Sequence, residues 1–447
     1  MKQYDIMVIG GVAAGMSAAS QARRANKDIS IAVFEKSDYV SYGACGMPYY
    51  ISDLIEDHRR LIAIDKDDYV SRRQIDIFTD TEAKQVDFAN KRVLIHLAGE
   101  DEWYTYDKLI IATGAKPVVP PIEGIEHENI FMLRNLNDGI RIKEFVQRNF
   151  PQRAVLIGGG FIGLEMAESF HELGIAPVII ERMESVAMAL DPEIRERITN
   201  KLKDNDVEIM TGVAVNRISR EGSLIVHHDD GAVEADFIVV SVGVIPNTDF
   251  LRDAGLKMTE RGALVVDERS QTTLPDVYAA GDCATVRHLI TDTDVYMPLG
   301  STANKQGRVA GLQAAGISTE RFRGIVGSQL VKVFDLEVGK TGLSEREAEM
   351  HGIKNESSVV TWKDIAGYCP ASENLFVKIT INPDTREIIG GQLVGKHGAA
   401  QRTNILATAI TARMSIDDFA YLDLGYAPPF TPVWDSLLVA AQKLVKR

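Results

Sequence analysis

Two glycine-rich turns, one near residue 10 and one near residue 158, constrain the fold of this chain more than any other feature. Each follows a short apolar run of the kind that forms a buried parallel strand, and each opens a helix. The next apolar run ends in an acid, Glu35 after the first turn and Glu181 after the second. This order is typical of a dinucleotide-binding fold, where a pyrophosphate lies on the helix N-terminus and the acid accepts hydrogen bonds from ribose hydroxyls. We therefore predict an α/β protein with two Rossmann-like folds.

The two turns differ in detail. The first has Val12 where the pattern places its middle glycine, whereas the second has all three glycines in register. An acid at position 181 favours NADH, but Arg182 directly after it can accept a 2′-phosphate, so NADPH stays open. The expected cofactor-binding residues of the first turn are Gly10, Val12, Ala13, Ala14, Gly15, Glu35 and Lys36. Those of the second turn are Gly158, Gly160, Phe161, Ile162, Gly163 and Glu181.

The stretches between and after the turns indicate that one dinucleotide fold is inserted in the other. An apolar strand ends in Ala112, Thr113 and Gly114 before a proline-rich crossover, and a strand over residues 237–247 passes Gly243. A further strand leads to Gly281 and Asp282, where we predict a helix start. The Asp282 carboxylate is then either a flavin ribityl acceptor or a plain helix cap. We predict a first domain of residues 1–116 and 245–321 and an inserted domain of residues 117–244.

Residues 322–447 have a different sequence pattern from the two dinucleotide folds. Four runs alternate apolar and polar residues, which predicts an antiparallel sheet, and a helix over residues 403–414 follows them. A proline-rich extended segment and a final helix complete the chain. A small α+β domain without a site motif of its own favours an interface, so we predict a dimerisation domain here.

Composition excludes several classes of function. A net charge of −14 gives a nucleic acid or an anionic membrane no electrostatic help, so we expect neither as a partner. No apolar run reaches the roughly 18 residues of a membrane span. Three cysteines are too few for a disulfide framework, which predicts a reducing, cytoplasmic setting. No metal site is predicted.

Cys45 is the candidate for reactive chemistry. It lies among small residues, between Gly43 and Gly46 and ahead of an aromatic pair. At the start of a helical turn, free N–H groups and the positive end of the helix dipole would lower the pKa of its thiol. No second cysteine follows within the segment, so a redox partner would come from outside the chain. We interpret Cys283 as a structural thiol.

Together these motifs resemble the flavoprotein pyridine nucleotide-disulfide oxidoreductases. The likeness is strongest to the single-cysteine branch that contains coenzyme A disulfide reductase, NADH oxidase, NADH peroxidase and persulfide or sulfur reductases. It rests on both glycine turns, residues 41–50, the strand end at 112–114, Gly281 with Asp282, and the tail 426–430. The resemblance implies FAD in the first domain, NAD(P)H in the second, and coenzyme A as substrate or bound ligand.

The resemblance also implies a homodimer whose C-terminal domains complete the partner's site. By that likeness Tyr426 would lie near the partner subunit's Cys45, with Tyr368 as a second candidate. The residue after Tyr368, a tyrosine in many members of this branch, is Cys369 here. The residues that match the branch's coenzyme A contacts are Gln21, Arg24, Ser41 and Asn304, with Arg23 as an adjacent candidate.

The activity that follows from the resemblance is NAD(P)H-dependent reduction of coenzyme A disulfide or persulfide through Cys45. Tyr426 and Tyr368 are candidates to supply a proton or hold the leaving thiolate. A persulfide or polysulfide reductase would use the same cysteine. An NADH oxidase would cycle Cys45 through a sulfenic acid, but such members have a histidine in the first glycine turn, which this chain lacks. A redox carrier for a protein partner is the remaining alternative, and no docking surface is indicated for it.

Overall fold

A mostly parallel sheet holds the first glycine turn. The computed structural model describes residues 2–252, 254–317 and 319–445. The elements up to residue 117 are strands β1 (Lys2–Ile9), β2 (Ile31–Phe34), β3 (Asp76–Phe78), β4 (Thr81–Asp87), β5 (Arg92–Leu97), β6 (Glu100–Ile111) and β7 (Ala115–Pro117), helices α1 (Ala13–Ala25), α2 (Met47–Ile51) and α3 (Lys66–Arg73), and 3-10 turns Ala44–Gly46 and His58–Leu61. The sheet order is β3-β2-β1-β6-β5-β4, and β1 pairs in parallel with β2 and β6. The four residues of β2 are all buried, which explains why the strand reads as an unbroken apolar run.

A second parallel sheet holds the second glycine turn. Its order is β11-β10-β9-β15-β8, and a three-stranded antiparallel sheet, β12-β13-β14, lies beside it. The elements are β8 (Ile130–Met132), β9 (Arg153–Ile157), β10 (Ala176–Glu181), β11 (Glu208–Thr211), β12 (Val215–Glu221), β13 (Ser223–His228), β14 (Gly231–Ala235), β15 (Phe237–Val240), β16 (Val244–Pro246), α4 (Leu136–Asn149), α5 (Phe161–Glu172) and α6 (Pro192–Asp204).

The chain then returns to the first sheet. Strands β7 and β16 pair antiparallel where the chain leaves and re-enters the first fold. The elements that follow are a 3-10 turn (Asp249–Leu251), β17 (Val277–Ala279), β18 (Val286–His288), β19 (Thr293–Val295) and α7 (Gly300–Ala314). Strand β17 pairs in parallel with β6, so residues from both ends of the insertion share one sheet. The boundaries at residues 117 and 245 stay a prediction.

Two local predictions in this region are wrong. The strand expected over residues 237–247 is interrupted, because Gly243 adopts a φ of 109° between β15 and β16. No helix starts at Asp282, so its carboxylate is not a helix cap. The reason is tertiary: the carbonyl of Cys283 accepts a hydrogen bond from the Leu264 N–H at 2.8 Å. The backbone makes only a single turn at Asp282, closed by the hydrogen bond from the Ala284 N–H to the Gly281 carbonyl at 2.9 Å, and the next helix is α7.

The C-terminal domain contains the predicted antiparallel sheet. Its order is β20-β21-β24-β23-β22, with helices packed against it. The elements are β20 (Gln329–Val333), β21 (Leu336–Gly342), β22 (Glu356–Lys363), β23 (Asn374–Ile381), β24 (Ile388–Gly395), α8 (Glu345–Met350), α9 (Ala399–Thr411), α10 (Ile416–Phe419) and α11 (Ser436–Gln442). Sequence patterning did not predict β21 and put the start of α9 four residues late. Residues 446 and 447 of the predicted domain lie outside the described residues.

Buried polar contacts join this sheet to the second dinucleotide fold. The Gln392 amide donates to Asp191 Oδ2 at 2.7 Å and accepts from the Asp191 N–H at 2.8 Å. Lys378, on the neighbouring strand β23, lies 3.1 Å from the same carboxylate. The contacts satisfy groups that would otherwise be costly to bury. In the described part of the chain, no helix has the length and apolar character needed to cross a membrane.

Candidate active site

The two glycine turns hold their acids in the same way. The Gly11 N–H donates to Glu35 Oε2 at 2.6 Å, and the Gly159 N–H donates to Glu181 Oε2 at 2.7 Å. The other oxygen of each carboxylate accepts a hydrogen bond from the backbone N–H two residues further along, at 2.8 and 2.7 Å respectively. Each acid is therefore fixed beside its turn, at the carboxyl end of its sheet, where a dinucleotide ribose is bound in this type of fold.

The helices after both turns begin without a side-chain cap. Val12 precedes α1 and Gly160 precedes α5, and neither helix has an acid in its first turn. Their first N–H groups are free to bind a pyrophosphate. Gly10 and Gly158 have φ values of 103° and 112°, and a Cβ at Gly10 would collide with the carbonyl oxygen of Ala112. Both positions therefore require glycine.

Buried polar groups near Asp282 fit a flavin. The Thr113 and Tyr296 hydroxyls are buried and have no hydrogen-bond partner within the described chain. Arg134 donates from Nη2 to Asp282 Oδ2 at 2.8 Å and from Nε to the Ala115 carbonyl at 2.8 Å. An unpaired buried hydroxyl is costly, and a ribityl chain would supply the missing partners. Arg134 was not selected from the sequence, although it closely follows β8, at the carboxyl end of a strand.

The Cys45 thiol is exposed, in the 3-10 turn that precedes α2. The expected lowering of its pKa is wrong for the chain by itself. Desolvation raises the pKa of the Cys45 thiol, and the nearby carboxylates of Glu165 and Asp282 raise it further, while Arg134 lowers it. The helix-end effect is weak here because α2 begins only at Met47 and spans five residues.

Glu165 is a functional candidate that sequence reasoning missed. It lies in α5, two residues after the last glycine of the second turn, and the Tyr49 hydroxyl donates to its Oε1 at 3.5 Å. Desolvation raises the pKa of Glu165 to about 7, although the Tyr49 hydrogen bond lowers it. A proton can therefore be held close to Cys45 at neutral pH. An acid in an otherwise apolar stretch of helix was the available signal.

Three predicted substrate contacts lie together on α1 and α7. Arg24 donates to Gln21 Oε1 from Nε at 2.9 Å and from Nη2 at 2.6 Å. One helical turn earlier, the Ser17 hydroxyl donates to Asn304 Oδ1 at 2.6 Å. Ser17, Gln21 and Arg24 share one face of α1 because they are four and three residues apart. This face presents amide and guanidinium groups suited to an anionic ligand.

The structure separates Arg23 from its neighbour Arg24. The Arg23 guanidinium donates to the carbonyls of Lys27 at 2.6 Å and Gln74 at 2.9 Å, so it closes the end of α1. These contacts occupy Nη1 and Nη2 of the Arg23 guanidinium, and its substrate role stays a prediction.

Ser41 is joined to α1 through α3. Its hydroxyl contacts the Tyr69 hydroxyl at 3.1 Å, and Arg73 lies over the Tyr69 ring at 5.0 Å. Arg73 also donates to the Ser20 hydroxyl at 3.0 Å, which brings a second cation to this side of the molecule. Sequence reasoning missed Arg73 because its proximity to α1 depends on tertiary packing.

Tyr368 and Tyr426 lie together in the C-terminal domain. Their hydroxyl oxygens are 3.2 Å apart, although 58 residues separate them in the chain. Both side chains are exposed, as is the nearby ring of Phe430. Exposed aromatic side chains of this kind are typical of a surface covered by a partner.

The other two cysteines have structural surroundings. Cys283 is fully buried and its thiol contacts the carbonyls of Ile111 and Ala280, each at 3.4 Å. Burial raises the pKa of this thiol, consistent with an inert group. Cys369 is half-buried, with its sulfur 3.4 Å from the Pro428 carbonyl.

Comparisons with protein-family models and with curated proteins point to the same family. Residues 4–307 match the pyridine nucleotide-disulphide oxidoreductase family, and residues 328–437 match the dimerisation domain of that family. The chain is 35% identical over 445 residues to the CoA-dependent NAD(P)H sulfur oxidoreductase of Pyrococcus furiosus, covering 99% of this chain and 100% of that protein. It is 29% identical over 428 residues to the coenzyme A disulfide reductase of Staphylococcus aureus, covering 95% of this chain and 96% of that protein.

A solved structure extends the likeness to three dimensions. The reduced CoADR-RHD protein of Bacillus anthracis superposes with a TM-score of 0.96 at 33% identity, covering 99% of this chain and 80% of that chain. The α/β fold with a C-terminal dimerisation domain is thereby confirmed, and the matched dimerisation domain indicates a homodimer. The chain belongs to the pyridine nucleotide-disulphide oxidoreductases, a family of flavoproteins that use FAD and NAD(P)H to act on small-molecule disulfides.

Proposed function

We propose that this protein is an FAD-dependent NAD(P)H:disulfide reductase that reduces coenzyme A disulfide, or coenzyme A persulfide, through the single thiol of Cys45. The observation that carries the proposal is an exposed thiol with no cysteine partner, bordered by groups from both dinucleotide folds. Cys283 is fully buried and cannot serve as that partner. The names of the Pyrococcus furiosus and Staphylococcus aureus relatives support a coenzyme A-linked substrate.

The two turns would hold the cofactors. The free N–H groups at the start of α1 and α5 would bind the two pyrophosphates, and Glu35 and Glu181 would orient the adenosine riboses. Asp282 and Thr113 would hold the flavin ribityl chain. FAD, when bound, carries two electrons from NAD(P)H to sulfur. The protein's part is to align the nicotinamide, the flavin and Cys45.

Cys45 performs the exchange chemistry. Its thiolate attacks one sulfur of coenzyme A disulfide, forms a mixed disulfide, and releases the first coenzyme A as a thiolate. Two electrons and a proton then cleave the mixed disulfide, which releases the second coenzyme A as a thiol and restores the Cys45 thiolate. Glu165, whose pKa is raised to about 7 by desolvation, is suited to hold a proton beside the sulfur.

Coenzyme A would lie along α1 and α7. Gln21, Arg24 and Asn304 offer amide and guanidinium groups on one face, and Ser41 lies between that face and Cys45 in the chain. A chain with net charge −14 needs such a local cation to bind a polyphosphate ligand. Arg73 adds a second positive charge nearby.

The C-terminal domain of one subunit would complete the site of the other. We assign Tyr426 and Tyr368 the role of protonating or holding the leaving thiolate in the partner's site. Their exposure and the contact between their hydroxyls support this, because the pair is presented outward on the dimerisation domain. Three free thiols in the described chain support a reducing, cytoplasmic location.

Persulfide or polysulfide reduction is the second candidate, favoured by the name of the Pyrococcus furiosus relative. Steady-state NADH oxidation by the FAD-loaded protein, measured with coenzyme A disulfide, with polysulfide plus coenzyme A, and with oxygen alone, tests both. We expect turnover with coenzyme A disulfide and only slow oxidation with oxygen. Turnover confined to polysulfide would transfer the assignment to the second candidate, and equal turnover with oxygen would contradict both.

The Tyr426→Phe variant tests the partner tyrosine. Loss of a positioned proton donor slows its step by about a hundredfold or more, so the thiol half-reaction should slow to that extent. Flavin reduction by NADH, followed by stopped-flow absorbance, should stay within about twofold because no proton from this hydroxyl enters it. Tyr421→Phe is the matched control, since Tyr421 is an exposed tyrosine of the same domain. Equal slowing of both half-reactions in Tyr426→Phe would contradict the role.

A further inference from the structure

The segment that carries Cys45 cannot set its own geometry. The thiol lies in a 3-10 turn without a side-chain cap, and the helix after it, α2, is five residues long. A helix of this length is unstable by itself, since helix formation needs about 12 residues or tertiary support. The orientation of Cys45 therefore depends on whatever holds α2 in place.

Side chains from two helices of the second dinucleotide fold contact backbone carbonyls of α2 and of the residues that follow it. The Lys143 ammonium, on α4, donates to the Tyr50 carbonyl at 2.7 Å and to the Glu56 carbonyl at 3.3 Å. The Ser169 hydroxyl, on α5, lies 3.0 Å from the Pro48 carbonyl and 2.8 Å from the Glu165 carbonyl of its own helix, and it can donate its single hydrogen to either. The Pro48 and Tyr50 carbonyls also accept the backbone N–H groups of Ser52 at 3.0 Å and Asp53 at 3.3 Å, so the side chains from the second fold add contacts to a turn that is already closed.

The Lys143 side chain that contacts the segment after Cys45 is a buried charge. Only 4% of the residue is exposed. Its ammonium lies 4.1 Å from the centre of the Tyr50 ring and 2.6 Å from Asp53 Oδ1. Every one of these partners lies in residues 50–56, just after the cysteine turn. Burial of a lysine is expensive unless it is fully paired, so this side chain is committed to fixing that segment.

We propose that Lys143, assisted by Ser169, is a positioning residue for the Cys45 thiol, supplied by the nucleotide-binding fold. The ammonium fixes α2 near its C-terminal end at Tyr50 and the hydroxyl contacts its first turn at Pro48, and together they set the position and direction of the thiol that precedes the helix. Misplacement of a reacting group by about 1 Å is enough to cost up to a hundredfold in rate. The inference rests on the proposed role of Cys45.

Replacement of Lys143 by methionine tests the proposal, with two readouts that need no turnover. The first is the long-wavelength absorbance of the FAD-loaded protein with Cys45 as a free thiolate and the flavin oxidised, which reports thiolate–flavin contact. The second is the rate of Cys45 alkylation by iodoacetamide, followed by intact mass. We expect Lys143→Met to retain FAD, to lose most of that absorbance and to change the alkylation rate by about tenfold. The thiol half-reaction should slow at least as much, with flavin reduction by NADH little changed.

Lys340→Met is the matched control. Lys340 is also 4% exposed and also binds a carbonyl and a carboxylate, those of Ala189 and Glu347, away from α2. If both variants lose similar thermal stability and neither changes the absorbance or the alkylation rate, Lys143 is only structural and the proposal is overturned. If Lys143→Met fails to fold, Ser169→Ala takes its place, and we expect it to change the same two readouts by about threefold. The absence of any change in Ser169→Ala would contradict the proposal. Because alkylation needs no sulfur substrate, its result is independent of which substrate the enzyme uses.

Discussion

The Cys45→Ser variant is expected to lose NADH-dependent reduction of coenzyme A disulfide by at least about a thousandfold. Serine keeps the size of the side chain but forms no mixed disulfide, so the covalent route is closed. FAD should remain bound at one per chain, because the backbone N–H groups of the first glycine turn and the Glu35 carboxylate, and not the Cys45 thiol, would hold it. Reduction of the flavin by NADH, measured by loss of absorbance under anaerobic conditions, should proceed at close to the wild-type rate.

Cys283→Ser provides the matched control for this experiment. The Cys283 thiol contacts the backbone carbonyls of Ile111 and Ala280, each at 3.4 Å, which a serine hydroxyl can also reach, so turnover should stay within about twofold. Retained disulfide reduction in Cys45→Ser, or loss of activity in both variants, would contradict the assignment of Cys45. Intact mass of the wild-type protein adds a direct check, because a mass increase equal to coenzyme A that is absent from Cys45→Ser identifies the attached thiol.

Removing the Glu181 carboxylate should reverse the preference between NADH and NADPH. Two backbone N–H groups hold the carboxylate in place, at 2.7 Å each, so it cannot turn away from a ribose 2′-phosphate. The fixed charge repels that phosphate and accepts charge-assisted hydrogen bonds from a free 2′-hydroxyl. We therefore expect the wild-type protein to bind NAD⁺ more tightly than NADP⁺.

Arg182 is the reason that loss of the Glu181 carboxylate should favour NADP⁺ over NAD⁺. Its side chain is exposed, and no hydrogen bond or ion pair engages it in the described part of the chain. In Glu181→Ala, NAD⁺ should bind about tenfold more weakly, because a hydrogen bond to a charged group contributes about 1.5–3 kcal/mol. NADP⁺ should bind about tenfold more tightly, since the guanidinium then meets the 2′-phosphate without a competing charge. Calorimetric dissociation constants of both nucleotides with the FAD-loaded protein measure this reversal.

Glu184→Ala is the control for charge alone. Glu184 lies on the same loop, is exposed, and pairs with Arg195 at 3.3 Å. Its removal changes the net charge equally but leaves the ribose acid in place, so the ratio of the two dissociation constants should stay within about twofold. An unchanged ratio in Glu181→Ala would show that the acid does not select the nucleotide.

Sequence reasoning succeeded where the structure depends on local pattern. The glycine turns, their flanking strands and their acids follow from residues within about 25 positions, and the return of β17 to the first sheet follows from the same strand-and-turn pattern. It failed at Asp282, where the Leu264 N–H binds the Cys283 carbonyl and the backbone makes a single turn instead of a helix. It also failed at Cys45, whose pKa is raised by desolvation and by acids that are distant in the chain. It named Arg24 as a coenzyme A contact and Arg23 as an adjacent candidate, but it did not predict that Arg23 binds backbone carbonyls while Arg24 binds Gln21.

The sequence by itself determined the α/β class, the two dinucleotide turns, the C-terminal domain and the isolated thiol, because each depends on short-range periodicity or on residue identity. Only the tertiary structure decided what surrounds that thiol. Glu165, Arg134, Lys143 and Ser169 come from the second fold, and each is more than 85 residues from Cys45. No local pattern predicts which polar side chains of one domain will reach the backbone of another, since those contacts form only when the two sheets pack.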